Sequence, residues 1–586
     1  MEVPGRRETA GAERIGFHRD MSSREGSPTS RGPELEARSS RAARSIWLLL
    51  AAALLLFLLF PARVLECDAV IYASAALQRE LRHATYAGHL GFGPLALLAA
   101  DLGGRLAPPL HPLFILPYVS MLAGLAGVYV FHALLRRWGT DPARALLFSA
   151  ALFFTYAYWH FSLQAESHLP AAFFIIAFLA TFADFLARRR ARMALAAGAL
   201  LGLATLMHQA SILLILPALA GLLFSRGDRR PLSSGIPAFL GAYALVAVLP
   251  YLVVGFAVLE LRSIADFRAW IMGLSSRGAW GHWRATALPA GGIGVLRSVV
   301  GSHHLLGNAE VARLAQRLFP TASWSDELAL AGAVPAGLRP ILAVLQTVLL
   351  GLIAVGLLRT GARLARLCSR NRPLGVFLIS WVGVWVLFFI WWAPERAEFW
   401  IPLFPPLLWA AAMPQPGAGG ERRGARGGSL ALGLFVACLA LVNFAGSILP
   451  QSLASLEPET LAAVSIEPAV RPGDVVVADL DPEGRATRFV SGYQKVDLVA
   501  AAGGERGATG DSAGAVVADL LAGNAGVFLV LTPLSANPER REIYRRLLER
   551  VTDRCALGER RPVRAPIEIR PLRACAPEPG RREGGE

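Results

Sequence analysis

Two carboxylates one residue apart, Glu66 and Asp68, follow the first long apolar run of the chain, Ile46 to Leu65. An acidic side chain at the mouth of a membrane span can act on a substrate carried at the lipid surface. Other residues able to do chemistry lie in similar settings between apolar runs. They are His83 and His89; Trp159, His160, Gln164, Glu166 and His168; His208 and Gln209; and Glu395, Arg396 and Glu398. With His282, His303 and His304 the histidines are numerous, but their spacing matches no metal-ligand pattern. No cofactor is required by this set, and a divalent metal stays open as an alternative.

The elements that hold these residues follow from hydropathy. Apolar runs near the length of a bilayer crossing are Ile46–Leu65, Leu113–Leu135, Ala145–Trp159, Leu169–Leu186, Ala194–Met207 and Ala210–Phe224. They continue with Ile236–Val258, Ile341–Leu358, Leu374–Trp392, Phe399–Met413 and Ser429–Ile448. The expectation is an α-helical polytopic membrane protein of about 11 transmembrane helices.

Arginine sets the orientation. Clusters at Arg136/Arg137/Arg144, Arg188–Arg192, Arg226–Arg230, Arg359–Arg372 and Arg422–Arg426 occupy every second connection, as a cytoplasmic N-terminus requires. The apolar stretch from Ala194 to Phe224 has arginine-rich flanks on both sides, so it must cross an even number of times. Two short helices turning at His208-Gln209 satisfy that parity. The remaining connections, and with them the chemistry-capable residues, then face outward.

Composition agrees. The 586 residues are 54% hydrophobic and 17% charged, with mean hydropathy +0.46, which excludes both disorder and a string of soluble domains. The net charge of +15 is distributed as topology anchors, with Lys495 the single lysine, and gives no reason to expect a nucleic-acid partner. The basic stretch before Ile46 is too long for a signal peptide, so the first run reads as a retained anchor.

The domain reading is a disordered basic cytoplasmic tail at 1–44 and a transmembrane bundle at 45–448, with outer loops at 66–112 and 259–340. A small extracytoplasmic α/β domain with a disordered end fills 449–586. Helices along the outer interface are expected after Ala69, with Tyr72, Leu77, Leu81 and Tyr86 dipping into lipid, and Trp270–Trp283 suits the headgroup level. Strands are expected at Asp474–Leu480, Val496–Ala501 and Val527–Thr532, with helices at Pro482–Ser491, Ala513–Ala522 and Pro538–Val551, giving a parallel sheet. Asp479-Leu480-Asp481 reads as a strand-end turn. Cys555 and Cys575 share the outer tail, where a disulfide is permitted.

With an acidic E-x-D in the first outer loop, an outward His208-Gln209 turn and Trp391-Trp-Ala-Pro-Glu-Arg-Ala-Glu-Phe-Trp400 before a proline-rich span, the chain resembles the GT-C class of membrane glycosyltransferases. That class includes protein O-mannosyltransferases and aminoarabinose transferases, and the resemblance covers about Ile46 to Ile448. It implies transfer of a sugar from a polyprenyl-phosphate carrier to an extracytoplasmic glycan, lipid or protein acceptor, at the cell (inner) membrane and with inversion.

The resemblance also suggests roles. Asp68 would be the general base for an acceptor hydroxyl, against the bland reading of a helix-capping acid. Glu66 would be a second acid or a metal ligand, against a plain surface charge. Arg396, with Arg277 or a histidine, would meet the charge developing on the leaving phosphate. His83, His89, Glu166, His168, His208, Glu395 and Glu398 would contact substrate. Against this, Glu166 and His168 could merely cap a helix, and Glu395, Arg396 and Glu398 could merely pair together. A transporter or flippase of lipid-linked intermediates, or a non-catalytic assembly partner, are the alternative functions. Transporters bind near mid-membrane, whereas these spans carry their charge at their outer ends.

Overall fold

In a computed structural model, the described residues are 33–64, 67–78, 81–106, 112–225, 229–272, 281, 283–301, 303–318, 325–414, 422–453, 466, 470, 474–478, 494–502, 510–523, 526–531, 538–559 and 568–575. The chain divides into two compact units, Met1–Leu48 and Leu49–Glu586. The described part of the first unit is the beginning of helix α1 (Pro33–Leu59); everything below concerns the second.

Helices dominate. After α1 come α2 (Cys67–Gln78), α3 (Phe92–Leu106), α4 (Pro117–Arg137), α5 (Pro142–Phe154), α6 (Tyr156–Ser162), α7 (His168–Arg188), α8 (Ala191–Met207) and α9 (Ile215–Leu223). Next are α10 (Arg229–Tyr243), α11 (Ala287–Val299), α12 (Ala309–Leu318), α13 (Arg339–Arg370), α14 (Arg372–Trp392), α15 (Phe404–Ala412) and α16 (Arg422–Asn443). Six helical stretches among the described residues are long and apolar enough to cross a membrane: 112–137, 168–188, 235–258, 336–370, 372–392 and 428–453. Five shorter apolar helices, 44–59, 142–154, 191–207, 209–223 and 287–299, accompany them. The chain is therefore a multi-pass membrane protein by length and composition.

The run from Ala194 to Phe224 does break at His208, whose backbone turns extended (φ −149°, ψ 114°) before a 3-10 turn over Gln209–Leu214. The expected span Phe399–Met413 is instead a 3-10 segment, Glu398–Leu403, followed by α15. Pro402, Pro405 and Pro406 remove backbone donors there, which disfavours a continuous α-helix. The 259–340 loop contains the apolar helix α11, which was not anticipated.

The bundle centre is aromatic. Phe178 and Phe182 of α7 pack with Phe239 of α10 and with Phe377 and Trp381 of α14, at ring-centroid separations from 4.7 to 6.3 Å. Between membrane-spanning helices these rings stabilise by close van der Waals packing and ring geometry rather than by removal from water. Nearer the candidate site, Ala69, Tyr72 and Ala73 of α2 pack against Phe92 and Ala96 of α3, with Leu116, Ala165, Ala171 and Met207. Tyr72 is 3% exposed, which corrects the lipid-dipping expectation. It meets Phe92 edge-on at 4.5 Å, a contact lipid could not match in geometry.

One side chain joins three segments. The Asn443 amide donates to the carbonyls of Phe154 (2.7 Å) and Val299 (2.9 Å) and accepts from Gly301 N–H (2.8 Å). It thereby ties the end of α16 to the corner after α5 and to the end of α11.

The C-terminal region carries a five-stranded sheet of order β2-β1-β3-β5-β4, with β1 at Val475–Ala478, β2 at Gln494–Asp497, β3 at Val527–Val530, β4 at Cys555–Leu557 and β5 at Ile569–Cys575. β1 pairs in parallel with β2 and β3, as expected, but β5 runs antiparallel to both β3 and β4. The sheet is therefore mixed, because after α18 (Pro538–Arg554) and the short β4 the chain returns as β5 between β3 and β4. The second strand starts at Gln494, and Leu498–Ala501 is helical rather than extended. α17 (Gly510–Gly523) and α18 lie where helices were expected. Cys555 is disulfide-bonded, and the β4–β5 register sets Cys575 opposite it. Asp479, Asp481 and Pro482–Ser491 lie outside the described residues.

Candidate active site

The chain is led to the site by fixed carbonyls. Gln164 Nε2 donates to Val64 O (2.8 Å), and Arg63 N–H donates to Gln451 O (3.1 Å), so the segment entering α2 is tied at two points. Asp68 then lies in the first turn of α2, where the helix dipole favours a carboxylate. It is about one third exposed, with Oδ2 3.7 Å from Nδ1 of His89.

His89 ends a 3-10 turn, Ala87–His89, that two hydrogen bonds hold in place. Tyr251 OH donates to Ala87 O (2.7 Å), and Gly91 N–H donates to Leu206 O (2.7 Å). The same Nδ1 makes a short hydrogen bond with the hydroxyl of Tyr72, one turn along α2 from Asp68. Burial pushes His89 down to about 3, reinforced by His168, so the imidazole is neutral near neutral pH. Burial, then Asp68 and Glu166, raise the Tyr72 phenol well above its ordinary range. The phenol stays protonated and shares a hydrogen bond with His89 Nδ1.

Three histidines gather here from distant parts of the sequence. His89 lies 5.0 Å from His208 and 6.2 Å from His168 between ring centroids, and His168 lies 4.7 Å from His208. His208 is held well below the usual histidine range, first by burial and then by His89. Glu166 is buried; its N–H donates to Ser120 Oγ (3.2 Å) and its carbonyl accepts from the same hydroxyl (2.8 Å). Ser167, not Glu166 or His168, is the cap residue of α7 and makes no side-chain cap bond. Capping therefore does not account for either residue.

The opposite wall is the 393–403 segment. Three tryptophan indoles donate to its carbonyls: Trp381 to Pro402 (3.2 Å), Trp385 to Phe399 (2.7 Å) and Trp400 to Pro394 (3.1 Å). These bonds satisfy carbonyls in a proline-interrupted stretch, and so fix where Glu398 and Phe399 stand. Phe399 meets His168 and His208 edge-on at 5.5 and 5.8 Å. A small pocket is lined by His168, Ser211, His208, Trp385, Glu398 and Phe399, among others. Arg396 Nη1 is 3.6 Å from Glu398 Oε1, which links a half-exposed cation to the pocket. Glu395 stays outside that pair, and its buried Oε2 has no hydrogen-bond partner among the described residues.

Of the residues singled out from sequence, Asp68, His89, Glu166, His168, His208, Arg396 and Glu398 are brought into this one region. Glu66 and Arg277 lie outside the described residues, as does the side chain of His83, on a short helix at Leu81–Ala84. Among the described residues, no group of three or more His, Cys, Asp and Glu is arranged to hold a metal ion. Tyr72, Ser211 and Phe399 were missed. Tyr72 was recoverable, because the i,i+4 spacing from Asp68 puts both on one face of α2.

This helix arrangement is the GT-C fold of polytopic membrane glycosyltransferases. The family model described as dolichyl-phosphate-mannose-protein mannosyltransferase matches residues 111–254, a segment that takes in Glu166, His168 and His208 and leaves out Asp68. The fold is similar to the crystal structure of ArnT from Cupriavidus metallidurans bound to undecaprenyl phosphate, at TM-score 0.50 and 13% identity, covering 90% of this chain and 98% of that one. The apo structure of the same protein matches with the same score and coverage at 15% identity. No curated protein matches the sequence.

Proposed function

We propose that this chain is a glycosyltransferase that moves a sugar from a polyprenyl-phosphate carrier to an acceptor on the extracytoplasmic face of the cytoplasmic membrane. The observation that carries this reading is the meeting of two carboxylates from separate segments, Asp68 and Glu166, around Tyr72, beside the pocket of His168, His208 and Glu398. The fold match and the mannosyltransferase family match support the reaction class, and the undecaprenyl phosphate in the ArnT structure supports the type of carrier.

Asp68 takes the proton of the acceptor hydroxyl as that oxygen attacks the anomeric carbon. The bond from that carbon to the phosphate oxygen breaks, and its electron pair leaves with the carrier phosphate. Arg396, with Arg277, offsets the charge that gathers on that phosphate. His168, His208, Glu398, Glu395 and His83 bind sugar or acceptor hydroxyls, with Glu66 as a second acid. A carboxylate is a weak base for an alcohol, so alignment by the tied α2 start supplies much of the rate.

The test is release of carrier phosphate from polyprenyl-phosphate sugars by protein purified into lipid, comparing wild type with Asp68→Asn. Release by wild type alone supports the reading. Equal release by the variant removes Asp68 from the mechanism, and no release from any donor by folded wild type rejects the enzyme.

A further inference from the structure

Four arginines collect at the far end of α13, away from the residues of the candidate active site. The exposed side of α13 carries Ile341, Val344, Val348, Leu352, Val355 and Leu358, each at least 45% exposed and spaced as one helical stripe. On a membrane-spanning helix such a stripe faces lipid tails. It ends at Leu358, and Arg359, Arg363 and Arg366 follow at i, i+4 and i+7, again on one face.

A fourth arginine comes from another element. Arg144, in the first turn of α5, is close enough to act electrostatically on Arg363 together with Arg359 and Arg366. Arg363 is held by a hydrogen bond from Nη1 to the carbonyl of Ala411, in the last turn of α15. The cluster is thus braced across α5, α13 and α15. Among the described residues, no carboxylate forms an ion pair with any of the four. The nearby Asp141 carboxylate is taken up by the N–H groups of Ala143 and Arg144 as the cap of α5.

Like charges packed at the end of a lipid-facing helix call for an anion at headgroup depth. Guanidinium groups offer planar paired donors that match phosphate oxygens. We propose that Arg144, Arg359, Arg363 and Arg366 form a binding site for the phosphate of an anionic glycerophospholipid headgroup. Arg363 is the fixed member, and Arg359 and Arg366 are the exposed members that close on the phosphate. Free phosphate shares the chemistry but would lack the tails that the apolar stripe receives.

The experiment uses the full chain in phosphatidylcholine nanodiscs, with and without phosphatidylglycerol, and reads both retained lipid by native mass spectrometry and Tm. Arg359→Gln and Arg366→Gln are the informative variants, since both side chains are exposed and their loss leaves the Arg363 brace intact. Wild type is expected to retain phosphatidylglycerol over phosphatidylcholine by about tenfold and to gain several degrees in Tm, with both effects reduced in each variant. Arg317→Gln, on α12, should behave as wild type. Equal retention by wild type and both variants overturns the site. An equal gain in Tm from millimolar inorganic phosphate in neutral lipid, with none added by phosphatidylglycerol, overturns the assignment to a lipid.

Discussion

The hydroxyl of Tyr72 and the carboxylate of Asp68 address the same nitrogen, Nδ1 of His89: Tyr72 by a short hydrogen bond, Asp68 from 3.7 Å. Burial, reinforced by His168, keeps His89 neutral near neutral pH, so the proposed base is spared an ion pair with a charged imidazole. Tyr72→Phe removes the hydroxyl that fixes the His89 ring beside Asp68. The expected result is a fall in kcat of about tenfold, with KM little changed. Wild-type kcat in Tyr72→Phe would remove the pair from the mechanism.

Stability should fall on acidification. His89 is held down to about 3 and His208 well below the ordinary value, both chiefly by burial. In the unfolded chain each takes up a proton near pH 6.5, so the unfolded state binds more protons between that value and the folded one. The stabilising contribution is complete above about pH 6.5 and drains away below it. Thermal unfolding in lipid should show a lower Tm at pH 5 than at pH 7.5. An unchanged Tm would mean that the histidines are not buried as described.

Gly294 of α11 passes against the tryptophan-held wall. A Cβ there would stand 2.0 Å from Pro394 O and 2.7 Å from Trp400 Nε1, so Gly294→Ala must push α11 off the segment that positions Glu398. Overpacking of this kind costs about 1–3 kcal/mol. Gly292→Ala, two residues earlier, meets nothing within 4 Å and should be neutral or stabilising. Equal unfolding midpoints for the two variants would contradict the close approach.

Arg396 is linked to the pocket through its pairing with Glu398. Arg396→Gln should reduce kcat/KM by about 10²-fold, the usual loss on removing one donor to developing charge. Arg396→Lys should recover part of it. Should Arg396→Gln turn over the carrier normally, the cation is only a surface partner of Glu398.

Much of the scaffold was legible because its signal is local. Apolar runs and alternating arginine clusters locate most of the helices, and the parity argument locates the break at His208. Asp68 and the His208 turn could be singled out for the same reason. Convergence was not legible: nothing in the sequence says that His89, His168 and His208 share a few ångströms, since their segments meet only through tertiary packing. Tyr72 was misjudged because an aromatic on a short amphipathic helix suits lipid and core alike, and the choice rests on Phe92. The antiparallel strands escaped because β4 has only three residues and the arginines and proline in β5 mask its alternation.

Asn443 leaves a different kind of trace. Two N–H donors and one carbonyl on a single short stem satisfy two chain corners and a glycine amide at once. Aspartate has no donor, leucine has neither donor nor acceptor, and glutamine carries the same amide one carbon too far out. The junction therefore admits one letter of the alphabet. Wherever this corner is inherited, the asparagine should be inherited with it, even in relatives whose pocket has been rebuilt.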